Sequence, residues 1–169
     1  MKQFNGKKLL ILGHARFGKD SAAEIIQHET GLKFISSSQA ALDVIRPLLT
    51  VATGITDPVQ LFNCRGEHRA LWHEAIKLYN SPDKTALCRY VLAISDCYVG
   101  MRCKYELAAC RGLFHHVFWV DASERKPPES EASMSIKFDP GYMIKIDNNG
   151  NEKDLIGEVK KALNKAMEK

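Results

Sequence analysis

The sequence lacks any apolar run of the roughly 20 residues that a membrane-spanning helix requires. That argues against a membrane partner. Its five cysteines (Cys64, Cys88, Cys97, Cys103 and Cys110) are odd in number and contain no C-x-x-C pair, so reduced, mostly buried thiols are expected rather than a disulfide framework. Cys64, His68 and His73 stand near one another but match no common zinc spacing. There is no internal repeat, low-complexity block or long linker. Charge of one sign is not in large excess either: a net +4 permits a polyanionic partner without demanding one. The opening residues, MKQFNGKK, run straight into a short apolar stretch with no small-residue cleavage site behind them, and the expected location is the cytoplasm.

What is present is ordinary globular material. With 169 residues, 45% hydrophobic and 26% charged, the chain can bury one core, and a single domain over residues 1–169 is expected. Short apolar stretches at 8–12, 33–36, 97–100, 116–121 and 142–146 read as strands. Between them lie amphipathic segments from about Lys19 to His28, Ser38 to Leu49, Glu67 to Tyr79, Lys84 to Ile94 and Cys103 to Arg111, with a closing helix marked by Leu155, Val159 and Leu163. Pro47 is expected to end or kink the second helix. Alternating strands and helices imply a mainly parallel, five-stranded sheet covered on both faces. Ligands of such sheets bind beyond the carboxyl ends of the strands. That edge carries the segments 13–21, 36–38, 100–102 and 121–125.

The stretch GHARFGKDS (13–21) is the most chemical of these. A phosphate-binding loop reads G-x-x-x-x-G-K-[ST] between a strand and a helix. Here Gly13, Gly18 and Lys19 are in register, Asp20 takes the hydroxyl position and Ser21 follows one residue late. Glycines let the backbone of Gly13, His14, Ala15, Arg16, Phe17 and Gly18 curl round an anion with its N–H groups pointing inward, and Lys19 reaches the β- and γ-phosphates. The hydroxyl normally meets magnesium. A carboxylate is also a hard oxygen ligand, so Asp20, helped by Ser21, is the candidate metal contact. Phosphoryl transfer spreads negative charge over the equatorial oxygens and needs several cations. Arg16, Arg65, Arg69, Arg102 and Arg125 lie near the predicted loops. Arg65 and Arg69 are four apart, and a helix containing both would set them on one face with Lys77 extending the stripe. The polar, proline-bearing segment 124–135 is the lid candidate.

Together with the loop, the strings CRGEHRALWHEAIKLYN, YVGMRCKYE, WVDASER and IDNNG make the chain resemble the bacteriophage P-loop deoxynucleotide kinases, and more narrowly the phage 5-hydroxymethyldeoxyuridine DNA kinases. The resemblance implies a three-layer α/β P-loop kinase fold with a short lid, use of ATP and Mg2+, and transfer of the γ-phosphoryl group to the hydroxymethyl group of a modified pyrimidine in DNA. A free deoxynucleoside monophosphate is the alternative acceptor, and a noncatalytic nucleotide-binding module a third reading. The residues so implied are Gly13 to Ser21 and Arg125 for ATP, Ser36, Arg65, Arg69 and Arg102 for the acceptor, and Lys19, Arg102 and Asp121 for catalysis, with Glu106 orienting Arg102. Many nucleotide kinases carry Asp-x-Arg where this chain has Gly100-Met101-Arg102, which leaves the general base open: Asp121, after an apolar run, is the candidate substitute, and an N-cap or turn role is its equal alternative. Trp72, Tyr79 and Tyr98 are possible stacking partners for an extruded base, with core packing the default for each.

Overall fold

In the computed structural model, which describes residues 4–168, a five-stranded sheet runs in the order β2-β3-β1-β4-β5. The strands are β1 (Leu9–Leu12), β2 (Phe34–Ser36), β3 (Cys97–Val99), β4 (His116–Asp121) and β5 (Met143–Asp147). Every pairing is parallel, so the sheet is wholly rather than mainly parallel. This is an α/β architecture with helices on both faces of a parallel sheet. All strand ends therefore face one edge. Seven α-helices complete the described chain: α1 (Lys19–Thr30), α2 (Ser37–Thr53), α3 (Pro58–Asn63), α4 (Arg69–Tyr79), α5 (Ala86–Ile94), α6 (Lys104–Cys110) and α7 (Glu152–Met167).

Strand side chains alternate between two cores, as the two-residue period of a pleated strand requires. On β1, Leu9 and Ile11 pack with Ala22, Ile26, Leu155 and Val159 of α1 and α7. Leu10 and Leu12 face the other way, toward Ile45, Leu49, Trp72 and Val91 of α2, α4 and α5. Because both faces are covered, the central strands read as continuous apolar runs.

Three expectations need correction. Pro47 does not end α2, which continues to Thr53 and stops at the left-handed Gly54. Pro47 lies on the exposed side of the helix, while Ile45 and Leu49 anchor it in the core. The helix predicted from Glu67 begins at Arg69, behind a short 3₁₀ turn at Cys64–Gly66. Helix α3 was not foreseen, although Asp57 caps it and Pro58 opens it. No helix among the described residues is long and apolar enough to cross a membrane.

Candidate active site

The glycines of the 13–21 loop sit where no other residue can. Gly13 has φ 142°, and a Cβ there would lie 2.5 Å from the carbonyl oxygen of Val120 on β4. Gly18 has φ 85°, and its Cβ would lie 2.3 Å from Nδ2 of Asn148. Asn148 belongs to the turn after β5 and is buried. Its Nδ2 donates to the Phe17 carbonyl at 2.8 Å, and its backbone N–H donates to the Asp121 carbonyl at 2.7 Å. One side chain thus ties the loop to the ends of β4 and β5. Arg16 takes a left-handed conformation at φ 63° and is exposed.

Lys19 opens α1 with its Nζ donating to the His14 carbonyl at 2.6 Å, across the mouth of the loop. Burial pulls its pKa down to about 8, and the neighbouring Arg102 adds to the effect. Gly100 ends β3 beside it, at φ 95°, and a Cβ there would lie 3.1 Å from Ser37 Oγ and 3.8 Å from Lys19 Cε. The glycine at the position of the expected acid therefore suits a left-handed backbone and a close approach to Ser37 Oγ, while Lys19 lies at ordinary van der Waals distance. Ser36 spends its side chain capping α2, accepting from Gln39 N–H at 3.2 Å, and it is Ser37 that turns to this edge, donating to the Gly100 carbonyl at 3.3 Å.

Arg102 and Arg69 come from different elements, the β3–α6 connection and the start of α4, and meet at Glu129. Arg102 Nη1 donates to both carboxylate oxygens at 2.7 and 2.8 Å, and Arg69 Nη2 donates to Oε1. The same carboxylate accepts from the loop amide of Ala15 at 2.6 Å. Burial opposes the charge on Glu129, but the bonds from Arg102 and Ala15 outweigh it and hold the carboxyl below its ordinary range. The Glu129 N–H donates to His14 Nδ1 at 3.1 Å, which leaves the imidazole proton on Nε2. The His14 ring, wedged edge-on against Phe17 and Trp119, is kept below its usual pKa chiefly by burial.

Arg65 is elsewhere. It lies on the 3₁₀ turn with its guanidinium 4.0 Å over the Phe62 ring and donates to the Phe62 carbonyl at 2.8 Å. It does not share a helix face with Arg69, because α4 starts too late. Asp121 accepts from Lys145 Nζ at 2.6 Å and from Ser123 N–H at 3.0 Å. Burial works against its charge, yet these bonds keep its pKa low, which suits a turn-forming anion better than a base. Arg125 donates to the Asn148 carbonyl, beside the loop. Asp20 and Ser21 are exposed on the first turn of α1. Among the described residues no cluster of three acidic, histidine or cysteine ligands exists. A magnesium ion here would combine Asp20 with phosphate and water oxygens, a hard-oxygen set that suits the ion.

Next to Arg102 opens a cavity of about 380 Å³, lined by Ser37, Asn80, Met101, Arg102, Tyr98 and Glu106 among others. Its volume is on the scale of small-molecule sites, which run from about 300 to 1,000 Å³. Glu106 does not bond Arg102. It accepts from Tyr98 OH at 3.1 Å, and burial pushes its pKa up to about 7 although that bond pulls the other way. Trp72 is buried in the core and Tyr79 packs against it, while Tyr98 is buried there and also lines the cavity.

Glu129, Asn148 and Ser37 were missed in the sequence. Asn148 lay within the quoted IDNNG string, and Ser37 within the serine run. Glu129 had no signal beyond being an acid in a polar, proline-bearing segment.

No family model matches the chain, and no curated protein matches it. Among solved structures, the crystal structure of an unliganded sugar kinase from a Janibacter species is similar at 17% identity, with a TM-score of 0.48 and 94% of each chain covered.

Proposed function

We propose that this protein is an ATP- and magnesium-dependent phosphotransferase. Loop amides and Lys19 hold the nucleotide phosphates, Arg69 and Arg102 neutralise the transferring phosphoryl group, and the acceptor occupies the cavity beside Arg102. One observation carries this reading. A glycine-loop amide and two arginines remote in sequence converge on a single anion position, next to Lys19. Transition states of phosphoryl transfer require that convergence of positive groups, because the protein's contribution is positioning and charge stabilisation. A plain nucleotide-binding module has no need of arginines brought from two other elements.

For the acceptor we propose the 5-hydroxymethyl group of 5-hydroxymethyldeoxyuridine in DNA. The resemblance of the loop, YVGMR and WVDAS strings supports it, as does a cavity large enough for one extruded nucleoside. A free deoxynucleoside monophosphate is the second reading. The observation favouring it is Arg69, which pairs with Glu129 at the anion position instead of forming a surface stripe with Arg65 for backbone phosphates. Incubation with γ-labelled ATP, offering hydroxymethyluracil-containing DNA beside free deoxynucleoside monophosphates, separates the two. Label in the DNA is the expected result. Label in monophosphates alone replaces the first acceptor with the second, and label in neither refutes the phosphotransferase reading.

A further inference from the structure

Every residue from Ser123 to Ala132 is exposed except Glu129. The ends of this segment are fixed. At one end Arg125 and Lys126 N–H groups both donate to the Ala122 carbonyl, at 3.0 Å each. At the other, Met134 and Ile136 are buried, and Ser135 N–H donates to the Arg102 carbonyl at 3.0 Å. Between those anchors the chain has almost no apolar packing, and one side chain reaches inward. It is a carboxylate, 12% exposed, and its contacts are the Ala15 amide and the guanidinium groups of Arg69 and Arg102. On the phosphate-loop reading these are the donors a phosphate would use. A carboxylate and a phosphate present the same thing to them, two or three anionic oxygens in a compact group.

We infer that Glu129 is a tethered anion that fills the phosphoryl position of the empty site and is expelled by a polyphosphate, so that the 126–133 stretch is released when nucleotide binds. The inference rests on the phosphate-loop reading. Two anions cannot share one set of donors within a few ångströms, because like charges there repel and each needs the same N–H groups. Polyphosphate carries more charge and also reaches Lys19, so it wins the competition. The cost of expelling Glu129 lowers the apparent affinity by the fraction of molecules in which the site is free. With the tether closed in about nine molecules in ten, that factor is about tenfold. The arrangement is an autoinhibitory contact, and it also keeps two guanidinium groups and a loop amide paired when no nucleotide is bound.

The test uses inorganic tripolyphosphate as the probe, titrated calorimetrically into wild type, E129Q and E131Q. Glu131 sits on the same segment but pairs with the exposed Lys137, so it controls for charge alone. Binding about tenfold tighter in E129Q, with E131Q like wild type, is expected. Equal or weaker binding in E129Q overturns the inference and leaves the loop reading standing. Absence of binding in both wild type and E129Q overturns the loop reading and the inference with it. A second measurement needs no variant: amide hydrogen exchange of residues 126–133 in wild type should quicken when tripolyphosphate is added. Slower exchange there would mean that the segment closes over the ligand, and would sink the inference even if E129Q failed to fold.

Discussion

The 13–21 loop and the 124–135 segment meet at one carboxylate but are held in opposite ways. The loop is fixed before any ligand arrives. Its glycines fit against Val120 and Asn148 with no space to spare, Phe17 is buried beneath it, and α1 continues it into the core. The segment is held by the ion pairs of Glu129, by the bond from the Glu129 N–H to His14 and by its two anchored ends. Packing gives the first a single conformation, while charge gives the second one that any stronger anion can replace. Preorganised donors and a replaceable cover are what charge-stabilising sites need.

The largest expected effect tests the loop's chemistry. Lys19→Ala should lower turnover by on the order of 10²-fold or more while the melting temperature stays near wild type, because the side chain stabilises charge rather than the core. A folded variant with near-normal turnover would remove Lys19 from the mechanism. The second breaks the comparison on stability. Gly18→Ala forces a Cβ into a left-handed backbone and against Asn148, at a cost on the order of 1–3 kcal/mol in urea unfolding. Pro127→Ala on the segment should stay within about 0.5 kcal/mol of wild type. Equal costs at the two sites would show the segment to be as rigidly built as the loop.

The third uses pH. With its pKa lowered to about 8 from 10.5, Lys19 is partly neutral above that pH in the empty protein. A bound phosphate restores its charge, so tripolyphosphate binding at pH 8.5 should take up a proton, visible as a dependence of the binding heat on buffer ionisation enthalpy. For the free protein the sign runs the other way: between about 8 and 10.5 the unfolded chain holds the proton and the folded one does not, so this group makes stability rise with pH over that window. Lys19→Met should abolish the proton uptake. The smallest effect concerns the acid at the hydroxyl position. Asp20→Ala should shift the magnesium dependence of turnover several-fold to higher concentration, and Asp20→Ser should recover part of it. An unchanged magnesium profile in both would make Asp20 a favourable acid at a helix N-terminus and nothing more.

The sequence by itself determined the order of the five strands and of every helix but α3, because uninterrupted apolar runs and helical periodicity are local signals. It determined the loop as well: Gly13, Gly18 and Lys19 have fixed spacings along one turn of chain, and the backbone angles they need are a property of glycine. Arg102 was legible through its place at a strand end. The tertiary structure decided what lies across the fold. Arg65 and Arg69 looked equivalent by spacing, and only the late start of α4 sent one onto Phe62 and the other into the site. Glu106, expected beside Arg102, found Tyr98 because both are buried on the same side of β3. Asp121 became a partner of Lys145, a residue of the adjacent strand. Glu129 shows the physical reason most clearly. Its role comes from Ala15, Arg69 and Arg102, at least 27 residues away along the chain, and no local pattern records a contact that exists only once the fold has brought two strand ends and the start of α4 together.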